Sequence, residues 1–344
     1  MVTNPFDIAL PSGGTVGEAV MAPLLERGVE PLVVDVGARN GMSLLPASYC
    51  RLARLIGFEP NVKEFNKLTQ GTTDAVEAGL PPPPSFRSER YHDCALWDAD
   101  ERRPFYLTVG VGACTLMGPS RPKVTDRMFL DSPDGRARQT YTELHTGVVK
   151  TEEVRCRALD QVVGDETIDF LKLDVEGAEL RVLKGAKRLL ESGRVLFIKS
   201  EFVCFGYYDE HPVFGEQHAF LNEPGFRLLD LDFEQPVYSR SPTRIPRAVD
   251  RRLKYAGDAY YALDPDRRDL NALDLHRLAA VSLTMGFRSF ALGLLEDAGL
   301  LGIEAVSEIE KALSRILLKK RLLLAWRQFP FTVQRALSTL GYHV

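Results

Sequence analysis

A glycine turn between two short apolar segments constrains the fold of this chain more than any other feature of its sequence. The turn, Asp35–Gly41, follows the apolar residues 32–34, and a second, mainly apolar run, Arg54–Phe58, ends directly before Glu59. Because glycine adopts backbone conformations that other residues avoid, such a turn lets the backbone approach a ligand closely. A carboxylate at the end of the next strand can accept hydrogen bonds from two ribose hydroxyls. The arrangement predicts a β-α-β unit that holds a nucleoside-bearing ligand; a tight turn without a ligand is the structural alternative.

Strand and helix signals keep alternating beyond this unit. Apolar strands are predicted at Ile168–Leu173 and Arg194–Ile198, with a helix over Ala178–Glu191 between them. Strands that alternate with helices form mainly parallel sheets with helices on both faces. The pattern predicts one α/β domain over residues 31–264, preceded by an N-terminal helical leader over residues 1–30. Within the domain, a helix is also expected over Met42–Arg54.

The strand signals end after residue 264, so residues 265–344 are predicted to form a C-terminal all-helical appendage. Its last part, residues 311–344, interleaves leucines with seven lysines and arginines and contains no Asp or Glu. A basic amphipathic helix of this kind can lie on an anionic membrane surface, or it can pack on the protein or on a partner. We therefore predict peripheral membrane contact or oligomer contact through this segment.

The composition is that of an ordinary globular protein, with 45% hydrophobic and 26% charged residues and a net charge of −4. This charge gives no general attraction for nucleic acid. No apolar run approaches the roughly 20 residues of a transmembrane helix, and the N-terminus lacks a signal-peptide pattern. Five cysteines without a C-x-x-C pair argue against a disulfide framework or a structural zinc site. We expect a cytoplasmic protein.

The spacing of the glycines separates three classes of ligand. A dinucleotide-binding turn would carry G-x-G-x-x-G and a phosphate-binding loop would carry G-K-S/T, and neither pattern surrounds Gly37 and Gly41. S-adenosylmethionine contains no pyrophosphate, so two glycines are enough for its turn. The residues expected to contact this cofactor are Asp35, Gly37, Ala38, Arg39, Gly41 and Glu59. A nicotinamide-dependent oxidoreductase and a non-catalytic cofactor-binding or scaffold protein remain the alternatives.

A second motif, Asp169–Glu179, reads Asp-Phe-Leu-Lys-Leu-Asp-Val-Glu-Gly-Ala-Glu and is followed by Val-Leu-Lys-Gly-Ala at 182–186. Together with Asp-Val-Gly-Ala at 35–38 and Gly-Phe-Glu-Pro-Asn at 57–61, it resembles the FkbM family of S-adenosylmethionine-dependent methyltransferases. The resemblance runs from about Leu32 to Ala262.

This resemblance implies a class I methyltransferase (Rossmann-like) fold with a mainly parallel seven-stranded sheet and helices on both faces. It also implies S-adenosylmethionine as cofactor and O-methylation of a sugar, a glycan or a related natural-product intermediate. By the family pattern, the segment Tyr91–Leu96 lines the adenine, with Asp93 and Cys94 as the contacts. Arg39 stands where many relatives carry asparagine.

Acidic residues at the carboxyl ends of central strands are the candidates for catalysis. Asp174 and Glu201, with Glu176 behind them, are expected at the sheet edge where open α/β sheets bind ligands. A carboxylate there can take the proton of an acceptor hydroxyl as the methyl group arrives, and Asp174 is also expected to reach the cofactor. The structural alternatives are that Asp174 caps the next helix and that Glu201 pairs with a lysine or arginine.

The remaining candidates are weaker. His145 and His211 lie in predicted loops on the acceptor side, and the aromatic residues between 202 and 214 are expected to form either a pocket wall or core. No compact ligand motif such as H-E-x-x-H is present, so no metal ion is predicted. The expected partner is a small-molecule or glycan acceptor, not a nucleic acid.

Overall fold

The computed structural model describes residues 4–118, 128–129, 147–206, 208–234, 238–239 and 254–314. His145, Tyr207 and residues 315–344, which form most of the basic segment, lie outside the described residues. The predicted contact of that segment with a membrane or an oligomer partner therefore stays a prediction. Among the helices that the structure describes, none is both long and apolar enough to cross a bilayer.

Twelve strands are described. They are β1 (Leu32–Val36), β2 (Arg54–Phe58), β3 (Ser88–His92), β4 (Ala95–Leu96), β5 (Glu101–Thr108), β6 (Met128–Phe129), β7 (Val148–Arg157), β8 (Ile168–Leu173), β9 (Val195–Val203), β10 (Phe226–Phe233), β11 (Tyr238–Ser239) and β12 (Ala256–Leu263).

Seven of these strands form the main sheet, in the order β10-β12-β9-β8-β1-β2-β3. The pairs from β3 to β9 are parallel, whereas β12 runs antiparallel to both of its neighbours. The chain moves outward from β1 to β3 and then returns to the other side of β1 at β8. The strand order therefore reverses between β1 and β8, and this is where such sheets bind ligands.

The central strands of this sheet are almost completely buried. All five residues of β1 are buried, and so are five of the six residues of β8. Strands that are covered on both faces are nearly continuous runs of apolar residues, which is the pattern that the sequence shows there. The predicted α/β class and mainly parallel seven-stranded sheet are confirmed.

Eleven α-helices are described. They are α1 (Val16–Glu26), α2 (Ala47–Cys50), α3 (Val62–Thr69), α4 (Asp74–Glu77), α5 (Leu159–Val162), α6 (Glu179–Lys184), α7 (Lys187–Glu191), α8 (Phe214–Asn222), α9 (Ala272–Thr284), α10 (Arg288–Ala298) and α11 (Ile303–Ser314), with a short 3-10 turn at Pro5–Asp7.

In place of the predicted helix over Met42–Arg54, the structure has only the single helical turn of α2. Pro46 has an extended backbone (φ −68°, ψ 146°) and stands at the N-terminal end of that turn. Proline also disfavours the helical conformation in the residue before it, here Leu45. Residues 42–45 therefore form a loop, whose Met42 and Leu45 are buried in the core.

The N-terminal and C-terminal helices share one core with the sheet. The side chains of Val20 and Leu24 on α1 and of Leu278 on α9 belong to the same buried cluster as those of β1 and β8. A buried ion pair reinforces this packing.

In that pair, the Arg277 guanidinium on α9 donates to both carboxylate oxygens of Asp169 at 2.8 and 2.7 Å. Asp169 also accepts from the Leu32 backbone N–H at 2.7 Å. The first residue of the second motif thus anchors α9 to the amino ends of β1 and β8.

His276 is buried between α9 and α1, and its Nε2 lies 2.7 Å from the Val20 carbonyl oxygen. Burial lowers the pKa of His276, so the folded chain binds fewer protons here than the unfolded chain.

We expect His276 to lower the free energy of unfolding as the pH falls below about 6.5, by at most about 1.4 kcal/mol per pH unit. Denaturant titrations of the wild type and of His276→Gln at several pH values measure this, since glutamine keeps a donor but does not titrate. Equal slopes in both proteins would contradict this role.

A smaller sheet covers the carboxyl edge of the main sheet. Its order is β4-β7-β5, with β4 parallel and β5 antiparallel to β7. Phe105 and Trp97 from this part pack with Ala178, Val203 and Ala256, which lie at the carboxyl ends of β8 and β9 and at the amino end of β12. The small sheet thereby forms a wall over the point where the strand order of the main sheet reverses.

Candidate active site

A cavity of about 400 Å³ lies at this point. Its floor is formed by residues at the ends of β1, β2 and β8, including Gly37, Glu59 and Asp174, and its opposite wall includes Leu96 and Phe105 from the region of the small sheet. The volume is within the range of about 300–1,000 Å³ of small-molecule sites. The structure thus places residues of the glycine turn, of the motif at 57–61 and of the motif Asp169–Glu179 around one cavity.

Gly37 brings the first turn against the loop that follows β8. Its φ of +81° is in the left-handed region, and a Cβ atom added there would lie 1.9 Å from the Asp174 carbonyl oxygen. The Gly37 and Ala38 backbone N–H groups both donate to the Phe58 carbonyl, at 3.2 and 3.0 Å. Glycine is therefore required here both by backbone conformation and by space.

Asp35 is completely buried and faces Lys172, its partner in the β1–β8 register. The Lys172 ammonium donates to Asp35 Oδ1 at 3.0 Å and to the Gly37 carbonyl at 3.2 Å, and it lies 3.3 Å from Asp174 Oδ2. Burial raises the pKa of Asp35, and the charge of Lys172 opposes that shift. Asp35 Oδ2 has no hydrogen-bond partner among the described residues.

Lys172 was not among the predicted site residues. The signal was the one cation, Lys172, inside the mainly apolar strand β8, together with the acidic Asp35 inside the otherwise apolar strand β1. Because a buried lysine needs a carboxylate partner, the sequence itself offered a reason to pair these two residues.

Glu59 directly follows β2 and lines the cavity, with 5% of its surface exposed. Its backbone N–H donates to the His92 carbonyl at 3.0 Å, and its Oε1 accepts from the Asn61 N–H at 2.8 Å. Burial raises the pKa of Glu59 to about 7. One carboxylate oxygen is thus held by the turn, which fixes the direction of the side chain.

Three carboxyl groups converge beside the cavity. Side-chain oxygens of Asp174, Glu176 and Glu201 all lie within 4.8 Å of one another. Burial, followed by the neighbouring negative charges, raises the pKa of Glu176 and of Glu201. Like charges at this distance resist joint ionisation, so the cluster can both hold a proton and accept one. Three carboxylate oxygens are half of the six that octahedral Mg²⁺ needs, and the cluster by itself does not define a metal site.

The structural alternatives for Asp174 and Glu201 are absent from the described part of the chain. Helix α6 has no side-chain cap at its first turn. Glu179 organises the preceding loop instead, since its Oε1 accepts from the Val175 N–H at 2.9 Å and lies 3.4 Å from the Gly177 nitrogen. Among the described residues, no lysine or arginine forms an ion pair with Glu201, which lies within β9 and not at its end.

The amino-acid sequence of this chain matches a known protein family. A sequence model described as the methyltransferase FkbM domain matches residues 35–228, more than half of the chain. The chain belongs to the FkbM methyltransferase family. It is also similar to Methyltransferase sdnD of Sordaria araneosa, with 29% identity over 168 residues that cover 45% of this chain and 60% of that protein. The chain thus spans about three fifths of the length of this curated relative.

Arg39, one of the predicted cofactor contacts, is held by neighbouring helices. Its Nη2 is hydrogen-bonded to Asp74 on α4, and its Nε lies 3.6 Å from Glu64 on α3. Lys67 also binds Asp74 and so continues the network. Arg39 also lines the cavity.

The predicted adenine contacts lie beside the cavity lining. Asp93 is exposed and Cys94 is buried, whereas the lining is formed by the next two residues, Ala95 and Leu96. The third strand of the main sheet ends at His92, and the chain then enters the small sheet. The contact of Asp93 and Cys94 with the cofactor stays a prediction of the family resemblance.

His211 and Tyr208 pack against the loop that carries Glu176. A Cβ atom on Gly177 would lie 2.9 Å from the His211 ring and 2.9 Å from the Tyr208 ring. Burial lowers the pKa of His211 to about 4, so the ring is neutral near pH 7. Phe202 instead packs in the core, with its ring centroid 5.0 Å from that of Phe214.

Proposed function

We propose that this FkbM family member transfers a methyl group from S-adenosylmethionine to a hydroxyl of a sugar, a glycan or a related natural-product acceptor. The observation that carries the proposal is the continuity of the site. One cavity joins Glu59, the predicted ribose contact, to Asp174 and Glu176 of the carboxylate cluster. A cofactor placed along the first motif would therefore have its reactive end beside groups that can accept a proton.

The residues present fit S-adenosylmethionine. The left-handed turn at Gly37 brings backbone to the cavity lining, and Asp35, completely buried behind it, has a carboxylate oxygen without a partner among the described residues. Glu59 offers an acceptor at the end of β2. Together these groups suit a ligand with ribose hydroxyls and a positively charged amino acid portion, and none of them requires a pyrophosphate.

The proposed reaction needs positioning and proton removal. The cofactor supplies a methyl group on a sulfonium, which is already a strong electrophile. Asp174, Glu176 and Glu201 would orient the acceptor hydroxyl about 3 Å from that methyl group. The ionised member of the cluster takes the hydroxyl proton, and the shared protonation of the cluster keeps one such acceptor available.

An acceptor screen tests this proposal. Purified protein is incubated with S-adenosylmethionine and matched sugars that offer a hydroxyl, an amine or a carboxylate at the same position. We expect formation of S-adenosylhomocysteine together with a methyl ether on the hydroxyl compounds. Methylation confined to the amine or carboxylate compounds would overturn O-methylation, although it would leave the methyltransferase assignment intact.

The ribose role of Glu59 predicts a clear loss of affinity. We expect Glu59→Ala to weaken S-adenosylmethionine binding by about 1.5–3 kcal/mol, because charge-assisted hydrogen bonds are lost. This corresponds to roughly a tenfold to hundredfold rise in the dissociation constant. Because the pKa of Glu59 is about 7, the wild-type affinity should also fall as the pH drops below 7, and the variant should lose this dependence.

Calorimetry across this pH range measures both effects. Glu77→Ala is the matched control, since Glu77 is an exposed acid that binds Lys67 outside the cavity. Unaltered affinity in Glu59→Ala would exclude the ribose role.

A further inference from the structure

We propose that Lys172 is a positioning residue that keeps Asp35 charged for the cofactor and holds Asp174 in place for the acceptor. The inference rests on the proposed function, because it assigns Asp35 to the cofactor and Asp174 to the acceptor. It concerns a side chain that would contact neither reacting atom directly.

The contacts of Lys172 carry the proposal. Its ammonium has three donors, and it meets three oxygens: Asp35 Oδ1 at 3.0 Å, the Gly37 carbonyl at 3.2 Å and Asp174 Oδ2 at 3.3 Å. These oxygens belong to β1, to the glycine turn and to the loop after β8. One side chain therefore links the cofactor turn to the loop that bears the catalytic candidates, and only 11% of that side chain is exposed.

The burial of Asp35 makes a cation necessary. A carboxylate that is removed from water becomes protonated unless a positive charge or several hydrogen bonds offset the loss of hydration. Among the described residues, Asp35 makes its side-chain hydrogen bond to Lys172 alone, and its second oxygen has no partner. Loss of the Lys172 charge would therefore favour the neutral acid.

Other titratable groups face this pair from the neighbouring elements. They are Glu59 after β2, Tyr91 on β3, Lys199 on β9 and Asp174 after β8, and the carboxyl groups of Glu176, Glu179 and Glu201 adjoin Asp174. Lys199 occupies the register position next to Lys172, but it is hydrogen-bonded to Asp258 on β12. It therefore cannot replace Lys172 in the bridge, and it offers a matched buried lysine for comparison.

The test measures S-adenosylmethionine binding by calorimetry, from about pH 6.5 to about pH 9, for the wild type and for Lys172→Met. Methionine keeps the length of the side chain without its charge. In the wild type we expect the affinity to level off once Glu59 is ionised. In Lys172→Met we expect weaker binding at pH 7 and an affinity that still rises with pH after the wild-type affinity has levelled off, by up to about tenfold per pH unit, as Asp35 regains its charge. Lys172→Arg should restore most of the wild-type profile.

The controls separate charge from folding and from the proposed function. Circular dichroism and thermal unfolding show whether each variant is folded, and Lys199→Met reports the effect of removing a buried lysine that does not bridge. A wild-type pH profile in folded Lys172→Met, or an equal shift in Lys199→Met, would overturn the role of Lys172. Absence of S-adenosylmethionine binding by the wild type would instead contradict the proposed function.

Discussion

Replacement of Asp174 by asparagine is expected to slow methyl transfer by about 10²–10⁴-fold, the usual contribution of a general acid or base. The dissociation constant of S-adenosylmethionine should change by less than about threefold. Asp174 lines the cavity with Glu176, and its Oδ2 lies 3.3 Å from the Lys172 ammonium. Asparagine preserves the size of the side chain and an oxygen that can face Lys172, but it cannot take a proton from the acceptor hydroxyl.

Turnover on a hydroxyl acceptor, together with calorimetry, tests this expectation. Asp98→Asn is the control, because Asp98 is a partly exposed acid that binds Arg181 outside the cavity lining. If Asp174→Asn loses cofactor binding while its turnover at saturating cofactor is normal, Asp174 belongs to the cofactor site. If Asp174→Asn has both wild-type turnover and wild-type cofactor affinity, the proton acceptor is Glu176 or Glu201 instead.

Replacement of Gly37 by alanine is expected to abolish measurable cofactor binding and to lower the free energy of unfolding. The positive φ of Gly37 costs an L-residue about 1–2 kcal/mol. The added Cβ would also lie 1.9 Å from the Asp174 carbonyl oxygen, so the turn and the β8 loop would have to separate. Overpacking of this kind costs about 1–3 kcal/mol and displaces the residues that line the cavity.

Gly79→Ala isolates the first of these two effects. Gly79 has a φ of +88°, but nothing lies within 4 Å of a Cβ atom built there. We expect Gly79→Ala to lose stability through backbone strain alone and to bind cofactor normally. Equal affinity losses in the two variants, or normal binding by Gly37→Ala, would show that the close approach at Gly37 is not needed for the cofactor.

The parts of the fold that local patterns determine could be predicted. Strand β8 has the bounds that its mainly apolar run predicts, because strands covered on both faces are nearly continuous apolar segments. Strand β7 has no such local signal over its first part. Most of its first six residues, Val148–Glu153, are exposed, and its pairing with β5 is what makes that part a strand.

The site was harder to predict where it depends on residues that are distant in sequence. The bridge between Lys172 and Asp35 joins positions 137 residues apart, and no local spacing indicates it. Glu201 was expected at a strand end, but β9 continues to Val203 because β12 pairs with it as far as that residue. Local motifs thus located the cofactor turn, whereas the contacts across strands required the structure.

One calorimetric experiment tests the central claim that the glycine turn and Glu59 form an S-adenosylmethionine site. The wild type is titrated separately with S-adenosylmethionine and with NAD at about pH 8, where Glu59 is ionised. The proposed site predicts one molecule of S-adenosylmethionine bound per chain and no saturable binding of NAD. Saturable binding of NAD without any response to S-adenosylmethionine would contradict it.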